Sequence, residues 1–218
     1  MNLFINNLLS ENPADRFFFF AVVLTVVVSI VLHELAHGWM AMKLGDPTPR
    51  LEGRMTGNPL VHMGPWSLLA LALAGIAWGS MPIDSSRMRG RHAETKVALA
   101  GPAMNLLLAF ACLTALGLWM RFGSIPEADS GVASNAYQLL KIAGITNLVL
   151  MCFNLMPIPP LDGSHVAADF STGYRRFVSD PANQGALMIG FIFAFSASLP
   201  LQMLCLRMAA GYLSLFSP

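Results

Sequence analysis

The sequence predicts an all-α polytopic membrane protein, a helical core with one short extended or re-entrant segment. Three observations lead there. Of its 218 residues, 55% are hydrophobic and only 11% charged, whereas a soluble domain carries roughly 25% charged residues. Long apolar runs recur along the chain, and the first has no charge from Phe17 to Leu32. Between the runs lie polar, Gly- and Pro-rich stretches too short to be soluble domains. The net charge of +1 leaves no electrostatic footprint for nucleic acid.

In chain order, residues 1–15 are too short and too polar to span a bilayer. They read as an amphipathic turn with a break at Pro13. No Lys or Arg precedes Arg16, so no signal peptide is expected and the first membrane helix should be retained. That helix is predicted from about Arg16 to Leu44, stopped by Gly45. Residues 45–59 are rich in Gly and Pro, and a short strand is expected around Leu51–Met55.

Residues 60–81 are long enough to span by hydropathy, but Gly64-Pro65 interrupts their start and Gly75 and Gly79 their end. Trp78–Ile83 reads as extended, since the residue before a proline avoids the helical region. A basic loop with Arg87, Arg89, Arg91 and Lys96 leads into a second long helix from Ala93 to about Phe122. The loop at 123–134 holds Glu127 and Asp129 and no Lys or Arg. A third helix is expected from about Asn135 to Met156, then a polar segment at 164–183. Pro200 divides apolar residues 185–217 into two helices short for full spans, so tilt or partial insertion is expected. Cys112, Cys152 and Cys205 are far apart in apolar segments and read as buried thiols. Residues 1–218 are expected to form one membrane-embedded domain, with a core at 17–165 and C-terminal helices at 185–217.

The basic residues set an orientation. Lys43, Arg50 and Arg54 precede the 60–81 segment, and Arg87, Arg89, Arg91 and Lys96 follow it. The positive-inside rule puts both clusters in the cytoplasm. The segment must then enter and return on one side, as a helix to about Gly75 and an extended return through Pro82. Asp162, beside Arg175 and Arg176, falls on the same face.

Inside the first helix stands His33-Glu34-Leu35-Ala36-His37. Residues four apart share a helix face, so both imidazoles can reach one metal ion, with Glu34 placed to take a proton from water. Ionisable groups at membrane depth are costly and read as a functional site. His37 lies about 10 Å of helix from Leu44, below one membrane surface. A catalytic zinc needs a third protein ligand, and the candidates are Asp162, Asp169, His62, His92 and His165. His92 lies among arginines and reads as a solvated loop residue. His62 reads as interfacial, His165 as a partner of Asp162, and Asp169 as a surface group. Asp162 follows a proline-stiffened turn at the mouth of an apolar helix, where a carboxylate otherwise lacks a reason to be.

Together, this motif, Ala100-Gly101-Pro102-Ala103-Met104-Asn105, and Asn154-Leu155-Met156-Pro157 with Leu161-Asp162-Gly163 resemble the site-2 protease family of intramembrane zinc metalloproteases. The resemblance covers roughly residues 17–165 and is closest to the small branch without PDZ or CBS domains. It implies a site-2 protease-like helical core, a Zn2+ cofactor held by His33, His37 and Asp162, and catalysis by Glu34. It further implies that Asn154 helps hold the substrate or the oxyanion. The implied activity is hydrolysis of peptide bonds within transmembrane segments of other proteins, as in regulated intramembrane proteolysis. The expected place is the inner or plasma membrane, and the basic loops put the active site toward the cytoplasm. The rival readings are a membrane metal transporter and a non-proteolytic protein that binds membrane clients. The sequence sets no oligomeric state.

Overall fold

The computed structural model of the chain describes residues 3–126 and 131–217, and within them it is built from helices without strands. Glu127 and Asp129 lie outside that range. Four helical stretches are long and apolar enough to cross a bilayer: Pro13–Lys43, Ala93–Phe122, Val132–Asn154 and Leu199–Phe216. The chain is a multi-pass membrane protein.

Pro13 opens a helix rather than breaking the chain. After the single turn α1 (Asn6–Leu9), α2 (Pro13–Lys43) begins on Asn12, whose side chain accepts the Ala14 N–H. Proline suits this position because a first-turn N–H has no helical partner to lose. Asp15 and Lys43 occupy the first and last turns, each at the end where the helix dipole favours its charge.

The strand expected around Leu51–Met55 does not form. Thr48–Leu51 makes one helical turn, α3, started by Asp46, whose Oδ1 accepts the Thr48 N–H at 2.9 Å. The fixed φ of Pro47 and Pro49 suits that turn, and no second strand among the described residues offers a ladder.

α4 (Pro59–Ala74) has 16 residues, about 24 Å at 1.5 Å each, against a hydrocarbon core of about 30 Å. Gly64 interrupts it at φ +68°, and Gly75 closes it in the left-handed conformation. Residues 76–84 then run back along α4 as a strap without regular secondary structure. The Trp78 N–H donates to Ser67 Oγ at 2.8 Å, and the Ser67 hydroxyl donates to Trp78 O at 2.7 Å. The Ser80 N–H donates to His62 O at 3.0 Å. The Asp84 N–H reaches Asp46 Oδ2 at 2.8 Å, and the Arg89 N–H reaches Leu44 O at 2.8 Å. Residue 89 thus stands where the chain left α2, and the segment is re-entrant as expected. At its tip the Ile5 N–H donates to Leu73 O at 3.2 Å, and Phe4 stacks on Phe19 with centroids 4.9 Å apart.

α5 (Ala93–Phe122), α6 (Val132–Asn154) and α10 (Leu199–Leu213) share a core of Ala109, Leu113, Leu148, Cys205 and Ala209. Lipid gives apolar helices no solvent-driven reason to associate, so close packing through small residues matters. Gly144 lies so near Leu113 that an added Cβ would overlap it. All three thiols are free, Cys205 buried and Cys112 and Cys152 half-buried. The polar stretch at 164–183 is largely helical, as α7 (Asp162–Phe170) and α8 (Thr172–Ser179). α9 (Gln184–Ser196) has 13 residues, too few for a span by length.

Candidate metal site and cleft

His33 and His37 stand one turn apart on α2 with their Nε2 atoms 2.9 Å apart. Asp162, the first residue of α7, brings Oδ2 to 3.2 Å from His33 Nε2 and Oδ1 to 3.3 Å from His37 Nε2. Among the described residues these three are the one group of side chains with metal-ligand atoms this close.

The other candidates lie apart from the set. His62 is buried rather than interfacial, with Nε2 donating to Thr56 O at 2.7 Å. His92 precedes α5 and, rather than standing free in solvent, pairs with Asp169, so Asp169 is no bare surface group either. His165 is exposed at the mouth of the cleft.

Each ring is oriented from its far side. His37 Nδ1 donates to the Val97 carbonyl at 2.7 Å. His33 Nδ1 donates to Asn105 Oδ1 at 2.6 Å. The Asn105 amide is set in turn, since its Nδ2 donates to Asn147 Oδ1 at 3.0 Å and Asn147 Nδ2 donates to the Ala143 carbonyl at 2.9 Å. A backbone carbonyl can only accept, so this chain from α6 through α5 puts the His33 proton on Nδ1. In its neutral form each ring so oriented presents a bare lone pair on Nε2.

Two lone pairs and a carboxylate therefore face one another, and Asp162 Oδ2 is a buried acceptor with no donor. A proton would serve one of these acceptors, whereas a cation serves all three. The donor set, two imidazoles and a carboxylate, suits zinc. Gly101 of α5 makes the room, for a Cβ there would overlap His37 Nε2 and the His33 ring.

With this geometry in place, comparison with known proteins decides the family. The model of peptidase family M50 matches residues 19–122 and 121–197. The chain belongs to peptidase family M50. The resemblance to the site-2 proteases is thereby borne out. The chain is 34% identical over 189 residues to a Bacillus subtilis protein named "Putative zinc metalloprotease YwhC", covering 82% of this chain and 85% of that one. It is 25% identical over 187 residues to "Zinc metalloprotease MJ0392" of Methanocaldococcus jannaschii, covering 84% of this chain and 45% of that one. No solved structure gives a significant match.

In this M50 family member the three acceptors open on a cleft of about 960 Å³. Ile30 and Glu34 of α2 form one wall, the strap a second, and Phe153 and Asn154 of α6 with Phe191 and Phe195 of α9 a third. Glu34 is buried, and the strap backbone lies directly on it, since a Cβ on Gly79 would overlap Glu34 Oε1. Asn154 lines the cleft while its Nδ2 donates to Leu150 O at 3.0 Å.

Asn105 and Asn147 are not among the site residues expected from the sequence. Their signal was an amide within an apolar helix, which in lipid needs a partner.

Proposed function

We propose that this M50 family member is a single-domain intramembrane zinc endopeptidase that cuts transmembrane segments of other proteins from the cytoplasmic side of the cell membrane. The observation that carries the reading is the meeting of two imidazole Nε2 atoms with a carboxylate whose buried Oδ2 has no donor, within a long apolar helix and beside Glu34. The names of its relatives, which specify zinc, agree. The cytoplasmic side follows from the basic residues of 43–54 and 87–96, whose two stretches are joined at one end of the fold by the Arg89–Leu44 hydrogen bond. No second cluster of ligating side chains among the described residues offers the relay that a metal transporter needs.

What a zinc ion supplies when held by such a set is Lewis acidity, which polarises a carbonyl and makes water acidic near neutral pH. His33, His37 and Asp162 are the proposed ligands. Glu34 takes the proton of the attacking water and passes it to the leaving amine. Asn154 commits one amide hydrogen to Leu150, and its other is the proposed donor to the oxyanion.

A transmembrane helix hides its amides in its own hydrogen bonds, so the substrate must unwind before attack. The strap suits the unwound chain. The Trp78 and Ser80 N–H groups bond back to α4, and residues 76–81 line the cleft, so pairing of the substrate along this edge is the proposed mode of capture.

Zinc content of the purified protein tests the ligand set. Wild type should hold about one ion per chain. His33→Ala, His37→Ala and Asp162→Ala should lose it, and His62→Ala and His165→Ala should keep it. Zinc retained by Asp162→Ala and lost by His165→Ala would overturn the assignment.

A further inference from the structure

α7 carries a second carboxylate that never touches the metal set. Asp162 and Asp169 are seven residues apart, two helical turns, so they project from one side of α7 about 10 Å apart along its axis. Asp162 reaches the histidines. Asp169 reaches the start of α5, where its Oδ2 accepts the Thr95 hydroxyl at 2.6 Å and His92 Nδ1 at 2.9 Å. Its Oδ1 stands 3.5 Å from Arg175 Nη2 of α8. Phe170 stacks on the His92 ring with centroids 4.8 Å apart. Arg175 Nε donates to Ala168 O at 3.0 Å, and its Nη2 donates to Glu94 at 3.2 Å. The Thr95 hydroxyl, joined by His92 and Arg175, holds the Asp169 carboxyl below the usual carboxylate range against the burial that opposes it.

The helix that Asp169 grips also carries the Val97 carbonyl, Gly101 and Asn105, which orient and admit the two histidine rings. α5 therefore acts as a ruler from which both halves of the metal set are measured. At its start α7 is held by Gly163, which lies so close to the Leu155 and Met156 carbonyls that no side chain fits. Close packing at its start alone would leave the rotation of α7 to be set by what its far end meets on α5. There Asp169, a hook two turns on and on Asp162's own side, makes the polar contacts that fix it.

We infer that Asp169, through Thr95, is a positioning residue for the metal site, fixing the register of α7 on α5 and so the place of Asp162 relative to His33 and His37. The inference rests on the ligand set proposed above.

The test uses the full chain purified in detergent, with three readouts: Zn2+ affinity by chelator competition, the visible absorption spectrum with Co2+ in place of zinc, and the melting temperature. Loss of a group that orients a ligand costs about 10–100-fold in metal affinity. Asp169→Ala and Thr95→Val should weaken Zn2+ binding by about tenfold or more and alter the Co2+ bands. Thr95→Ser keeps the hydroxyl and should behave as wild type. This Thr95 pair carries the test if Asp169→Ala does not fold. Phe170→Ala, which removes packing but not the hook, should lower the melting temperature and leave Zn2+ affinity intact. Unchanged affinity and Co2+ spectra in Asp169→Ala and Thr95→Val, with zinc lost in Asp162→Ala, would overturn the inference alone. So would a Phe170→Ala variant that loses zinc as severely as Asp169→Ala. Zinc retained in Asp162→Ala would overturn the ligand set and the inference with it.

Discussion

Gly101 of α5 lies against the imidazole of His37 so closely that a single methyl group there would overlap Nε2. The glycine sits in the interior of a long helix, where replacing it by alanine would ordinarily add about 1 kcal/mol of helix stability. Packing and propensity therefore pull in opposite directions. Gly101→Ala should keep a metal-free melting temperature near wild type and lose Zn2+ affinity by about tenfold or more. Chelator competition and a melt on one preparation check both parts. A variant with wild-type affinity would mean that the rings have room the structure denies them.

The amide chain from Ala143 to His33 gives a second prediction. Asn105→Ala leaves His33 Nδ1 without an acceptor and its tautomer unset, and should weaken zinc binding by about 10–100-fold. Asn105→Asp restores an acceptor but not the donor to Asn147, and should fall between Asn105→Ala and wild type. Equal affinities across the three proteins would show that His33 needs no such partner.

How much of this was legible in the sequence follows the range of each signal. His33 and His37 could be paired on sight because the i, i+4 rule is local. Asp162 stood out after its proline-rich turn, but its meeting with the histidines depends on how α7 lies on α5, and only the family resemblance supplied that. Asn105 and Asn147 announced a need for partners, yet which partner each finds is set by how α5 and α6 pack. Asp169 reads as a surface group because 164–183 is polar, whereas its half-buried carboxylate bonds to Thr95 and His92, far away in sequence. The strand at Leu51–Met55 failed for a similar reason: Gly and Pro mark a break but do not distinguish one helical turn from an extended piece. The re-entrant segment was legible because both of its flanks are basic.

Asp46 ties the strap to the end of α2. It is fully buried, and its two oxygens accept the Thr48 and Asp84 N–H groups. Burial pushes its carboxyl up, but the bonds from Thr48 and Asp84 outweigh that and hold it below the ordinary carboxylate range. A carboxyl lowered in the folded state stabilises fully above its unfolded value near 3.9, and the contribution fades as the pH falls through the lower folded value. Asp46→Asn turns an NH2 toward one of those donors and should cost about 1–3 kcal/mol. Hydrogen exchange at 76–89 should quicken in this variant at neutral pH. Exchange there unchanged from wild type would release Asp46 from this role.

The re-entrant path predicts a pattern of accessibility in intact cells, with the native cysteines replaced. Asn58→Cys and Arg89→Cys should both resist an impermeant external thiol reagent and react once the membrane is opened. Ser124→Cys, exposed beyond the far end of α5, should react from outside. External labelling at Asn58→Cys or Arg89→Cys would contradict the single cytoplasmic face.

The most direct measurement is the position of the cut. Wild-type protein and Glu34→Gln, each purified with its zinc, would be mixed with a single-span membrane protein and the products weighed by mass spectrometry. Wild type should cut inside the apolar segment near its cytoplasmic end, and faster when helix-breaking residues are placed there. Glu34→Gln should retain zinc and cut at least about a hundredfold to ten-thousandfold more slowly, because both proton transfers run through that carboxylate. Cleavage confined to soluble loops, or turnover by Glu34→Gln close to wild type, would contradict an intramembrane zinc peptidase with Glu34 as its base.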